Sequence, residues 1–174
     1  MGQLIVVLIR LAVPVSIFRW PLAGGLASML LDALDVVLVE LVGLGGFDNY
    51  AALDKGLDMY YLSFELIVSL RWAPLVRWTS VALFAYRALG VVLFEVTQER
   101  VFLFIFPNLF ENFYVGYLLL LRFAPRFVPT PPRLVALLAV LLVPKLAQEY
   151  MLHYAEAQPW DWIKTHVLRD SWRF

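Results

Sequence analysis

The chain has 174 residues, 62% of them hydrophobic and 16% charged, with a mean hydropathy of +0.76. A soluble domain carries about 25% charged and about 45–50% apolar residues, so this composition excludes an ordinary soluble fold and reads as an integral membrane protein. The 14 Lys and Arg balance 14 Asp and Glu, and with no basic block nucleic acid is not an expected partner. The absence of cysteine excludes a disulfide framework, a thiolate metal site and a Cys nucleophile.

A span needs about 20 mostly apolar residues, and the hydropathy pattern predicts six, at roughly 3–19, 22–44, 51–70, 74–95, 101–122 and 132–154. The first has no basic residue before Arg10 and reads as a span, not as a cleaved signal; the small residues Ala23, Gly24, Gly25 and Ala27 belong to the second. Arg19-Trp20-Pro21 separates these two spans. The run from Gly43 to Asn49 leads into the third, with Asp48 or Asn49 as its expected N-cap. Its glycines lack the lysine of a phosphate-cradling loop.

Arg71-Trp72-Ala73-Pro74, Gln98-Glu99-Arg100 and the proline-rich stretch Pro125 to Pro132 mark the later breaks. The six tryptophans fall at or beyond predicted helix ends, where an aromatic belt belongs. After about residue 156, bulky aromatics alternate with charges (Trp160, Asp161, Trp162, Lys164, Arg169, Trp172), the composition of an amphipathic helix lying in the headgroup region. The predicted architecture is therefore all-α: a bundle of about six transmembrane helices over residues 1–155, then an interfacial tail over 156–174. Its expected location is the cell (inner or plasma) membrane. Loop charges divide almost evenly between the two sides and do not orient the bundle.

Seven Asp occur in the chain, and five of them lie between residues 32 and 58. Asp32 and Asp35 are three apart on the second span, and Asp54 and Asp58 four apart on the third, so each pair shares a helix face. A short connector makes the two helices antiparallel neighbours, and the four carboxylates are expected to converge. Such groups cost about 2.5–3.5 kcal/mol each on insertion scales, which makes a functional site the default expectation. Oxygen-only ligands suit Mg²⁺, Mn²⁺ or Ca²⁺. Two such ions can clamp a diphosphate and leave one carboxylate as general base. The alternative is that the acids pair with Arg19, Lys55 or backbone donors and fix helix packing.

Further polar groups lie in the spans. Glu65 is two turns beyond Asp58 on the same face, with Glu40 and Glu95 as other span acids and Arg87 as a partner for one of them. Asn108, Glu111 and Asn112 either line a polar cavity or hold helices together by hydrogen bonds. Lys145 and Glu149 have the spacing of an ion pair, and Glu149 with His153 has only two of the ligands a metal site needs.

The stretch Asp32-x2-Asp35-Val36-x2-Val39-Glu40-x9-Tyr50-x3-Asp54-x3-Asp58 resembles the motif of the CDP-alcohol phosphatidyltransferases, D-x2-D-G-x2-A-R-x8-9-G-x3-D-x3-D. All four acids match, the gaps fit, the helix count agrees, and Leu11-Ala12-Val13-Pro14 is similar to that family's Pro-containing first helix. The resemblance implies Mg²⁺ or Mn²⁺ held by Asp32, Asp35, Asp54 and Asp58, with Asp58 also the catalytic base that deprotonates an acceptor alcohol. It implies a CDP-linked lipid as donor, the bilayer as environment and a homodimer. Val36 and Tyr50 stand where the family has glycine, which lets a nucleotide approach the backbone. Val39-Glu40 replaces Ala-Arg and puts a negative charge where a diphosphate needs a positive one. The expected function is a divergent phosphatidyltransferase-like protein; the alternative is a non-enzymatic cation-binding protein, a small transporter or a complex subunit, using the same acids.

Overall fold

The structure is a computed structural model and describes residues 2–41 and 50–150, without the side chains of residues 2, 3, 35–41, 50–52 and 149. The tail over 156–174, the connector with Asp48 and Asn49, and the side chains of Asp35, Glu40 and Glu149 therefore lie outside the described residues. Among those described, the chain is all-helical: α1 (Gly2–Ala12), a 3₁₀ segment (Val13–Phe18), α2 (Pro21–Leu41), α3 (Tyr50–Ser69), α4 (Pro74–Thr97), α5 (Val101–Ile105), α6 (Leu109–Phe123) and α7 (Pro131–Glu149). Three stretches are long and apolar enough to cross a membrane: Pro74–Thr97, Val101–Phe123 and Pro131–Gln148.

Two predicted spans are broken by proline. In the first, Pro14 has no N–H, and its ring collides with the carbonyl four residues back. The chain tightens there to a 3₁₀ turn, closed by the N–H groups of Arg19 and Trp20 donating to Ser16 O at 3.0 and 2.8 Å. In the fifth, Pro107 separates α5 from α6, and Asn108 caps the new helix by accepting from the Glu111 N–H at 3.4 Å. Prolines at the start of α2, α4 and α7 sit where a helix has no N–H bond to lose.

α6 is the axis of the packing, touching α2, α3, α4 and α7. Phe110, Phe113 and Tyr114 are fully buried on it. Phe113 packs with Val76 of α4 and Leu134 of α7, while Tyr114 packs with Ile17 of the 3₁₀ segment. The close seat of that segment on α2 depends on Gly24, where a Cβ would lie 2.6 Å from the Ile17 backbone nitrogen. Trp72, expected in a belt, instead stacks inward on Tyr114 with ring centroids 5.3 Å apart, whereas Trp20 and Trp78 face outward.

The polarity is inverted relative to a water-soluble protein. Val96, Phe123 and Val143 are 72–78% exposed, while Arg10, Asp58, Glu65, Arg87, Glu111 and Lys145 are buried. An apolar exterior around charged interior groups is the arrangement that lipid, not water, favours.

Candidate functional site

The site is organised along one face of α3. Asp54, Asp58, Tyr61, Glu65 and Ser69 recur at intervals of four, three, four and four, which keeps them on one helical stripe. The last four are all at most 2% exposed. This stripe is polar and runs down the inside of the bundle, and the neighbouring helices supply its partners.

At the α3 start, Arg10 from the last turn of α1 lies between two carboxylates. Its Nη1 donates to Asp54 Oδ1 at 2.8 Å and its Nη2 to Asp32 Oδ1, so acids 22 residues apart in sequence share one guanidinium. Lys55 Nζ donates to the other Asp54 oxygen at 2.8 Å. Asp32 and Asp54 remain partly exposed, and Arg10 is buried. The expected convergence of the second and third spans holds for this pair. The base that joins them is Arg10 on the first helix, where the sequence offers Arg19 and Lys55 as the partners; Lys55 does reach Asp54. The available signal was that Arg10 is the one charged residue in the first predicted span before its end.

One turn further along, Asp58 has different partners. Arg87 Nη2 of α4 donates to its Oδ2 at 3.1 Å and Asn108 Nδ2 to its Oδ1 at 3.4 Å. Arg87 Nη1 also donates to the Phe106 carbonyl at 3.1 Å, at the break between α5 and α6. Asn108 Nδ2 donates to Glu111 Oε2 at 3.0 Å, and Lys145 of α7 lies 3.9 Å from that oxygen. Lys145 also donates to Gln148 Oε1 at 3.3 Å. Asn108 and Glu111 thus act within a hydrogen-bonded network joining α3, α4, α6 and α7. Arg87, a candidate partner for a span glutamate, bonds Asp58. Glu95 is exposed at the end of α4 and does not belong to the interior set.

The described ligand candidates therefore divide into two groups, Asp32 with Asp54 and Asp58 alone, each matched by a protein cation; the Asp35 side chain is outside the described residues. Among the described residues no group of three or more His, Cys, Asp or Glu could hold a metal ion. The oxygen chemistry suits Mg²⁺ or Mn²⁺, but guanidinium groups already supply the positive charge at Asp32, Asp54 and Asp58. Asp58 is nearly sealed, with both oxygens engaged, whereas a general base must reach the proton it abstracts. An open groove lined by Arg19, Trp20, Leu22, Leu118, Leu121 and Arg122 contains none of these acids. Arg19 and Asp32 are 13 residues apart along the chain, so the groove lies toward the other end of α2.

The chain matches no protein-family model, no curated protein and no solved structure.

Proposed function

We propose that the chain is an integral membrane bundle of six spans, laid out like the CDP-alcohol phosphatidyltransferases, whose interior charges handle an ion instead of transferring a phosphoalcohol. One observation carries this reading: the motif acids are paired with the protein's own guanidinium groups, Arg10 with Asp32 and Asp54, and Arg87 with Asp58. Those cations stand in for the charge that the resemblance assigns to Mg²⁺ or Mn²⁺. Val36, Glu40 and Tyr50, where the motif has Gly, Arg and Gly, support the same conclusion. Ionisable groups inside a membrane protein mark ion paths and proton relays by default. Among the described residues, three acids (Asp58, Glu65, Glu111) and three bases (Arg10, Arg87, Lys145) are buried, and Arg87 and Lys145 lie against Asp58 and Glu111. The setting is the cell (inner or plasma) membrane, as a small transporter or a complex subunit.

A second reading, the active phosphatidyltransferase, is favoured by the meeting of Asp32 and Asp54 at one point with Lys55 beside them. In it Asp32, Asp35 and Asp54 hold Mg²⁺ or Mn²⁺, Asp58 is the base, and a bound divalent ion neutralises the diphosphate of a CDP-linked lipid.

Thermal stability of the purified protein with Mn²⁺ and CDP-diacylglycerol, together with CMP release, separates the two. Under the ion-handling reading neither ligand stabilises the fold and no CMP appears, while Asp54→Asn lowers stability without any ligand. Under the transferase reading, ligand at 100 times its Kd adds about 2.7 kcal/mol, CMP is released, and Asp54→Asn abolishes both effects while Glu149→Gln keeps them. That second outcome overturns the ion-handling reading.

A further inference from the structure

Glu65 is the interior acid that no described base reaches. It lies on the α3 stripe, seven residues beyond Asp58 and four beyond Tyr61, and is 0% exposed. Neither of its oxygens has a hydrogen-bond partner among the described residues. Room for the carboxyl comes from α2: a Cβ on Gly25 would lie 3.1 Å from Glu65 Oε1 and 2.9 Å from Tyr114 Cε1. Larger side chains at position 25 would close the space.

Groups from three helices face Glu65. On α3 they are Asp58 and Tyr61; on α6 they are Glu111 and Tyr114; α2 presents Gly25. The charges that reach it are thus those of two other acids. Arg87 is bonded to Asp58, and Lys145 lies beside Glu111. The Tyr114 hydroxyl is at 3.5 Å from the Pro21 carbonyl. An isolated carboxylate in such a place is neutralised, because removing it from water without a partner costs far more than protonation. A hard metal cation takes about six or more oxygen ligands, and Glu65 and Tyr61 supply three. A proton needs one.

We propose that Glu65 is a proton-binding site. The step balances simply: hydronium gives one proton to a Glu65 oxygen, water leaves, and the residue goes from an anion to a neutral acid. The proposal rests on the ion-handling reading and names its ion.

The test uses the full chain in proteoliposomes. Dicyclohexylcarbodiimide reacts with protonated carboxyls in apolar surroundings, so peptide mass mapping should find the adduct on Glu65. Sodium should not slow that labelling. Raising the pH should slow that labelling, because the carboxylate form does not react. Glu95→Gln, at an exposed position, should leave the labelling of Glu65 unchanged, and Gly25→Ala, which crowds the carboxyl, should reduce it. Absence of the adduct in the unaltered protein, protection by sodium, or labelling indifferent to pH would each overturn the proposal. CMP release is measured separately, so failure at Glu65 with no CMP release leaves the ion-handling reading standing.

Discussion

The two C-terminal spans have the same apolar composition and opposite places in the bundle. The window through Val101–Phe123 is 56% buried, and that through Pro131–Gln148 is 11% buried. α6 turns Phe110, Phe113, Tyr114 and Glu111 inward, whereas α7 turns Val135, Val140 and Val143 outward and buries little besides Leu134 and Lys145. In lipid, apolar exposure has no cost, so hydropathy cannot distinguish a central helix from a peripheral one. What distinguishes them is the side-chain type. The central helix carries aromatics and hydrogen-bonding groups that other helices can meet, and the outer one carries aliphatics.

The largest change expected from breaking this contrast is at the sealed ion pair beside α6. Arg87→Ala leaves Asp58 without its guanidinium at a site where both side chains are 3% exposed, and should cost about 3–5 kcal/mol in reversible unfolding in detergent. Asp58→Asn in the same background should recover part of that loss, because the orphaned charge is then gone. Phe110→Ala should lose about 3 kcal/mol by leaving a cavity at the axis, while Val140→Ala on the outer face of α7 should change stability by less than about 0.5 kcal/mol. Equal losses at these two positions would contradict the packing described.

Smaller effects fall toward the surface. Arg10→Gln should cost about 1–3 kcal/mol, less than Arg87→Ala, since water reaches Asp32 and Asp54 and screens what remains. Asn108→Ala, though buried, removes the cap of α6 and the amide donor shared by Asp58 and Glu111, and should cost about 1–3 kcal/mol, read as a lower unfolding midpoint with an unchanged denaturant slope.

Much of the layout was readable beforehand. Each of the six predicted spans contains described helix with boundaries near those expected, because proline and glycine punctuation acts locally. The subdivision of the fifth span was missed: its apolar run continues through Phe106-Pro107-Asn108, and the capping role of Asn108 appears only once the helix is known to restart there. Within the site, the shared faces of Asp54, Asp58 and Glu65 follow from helical spacing alone. The meeting of Asp32 with Asp54 was also expected, since a short connector constrains neighbouring helices. Of the cations, Lys55 beside Asp54 was legible, and the guanidinium partners were not. Arg10 and Arg87 lie 22 and 29 residues along the chain from the acids Asp32 and Asp58 they hold, and no local pattern links them.

The order of residues by itself determined the all-helical class, the positions of the helices and the polar stripe on α3, because each depends on contacts or geometry within a few residues. Tertiary packing alone decided which base neutralises which acid, that α6 rather than α7 is central, and that no base among the described residues meets Glu65. Those outcomes depend on which faces of distant helices meet, and in a low-dielectric interior that meeting determines the charge each group can keep.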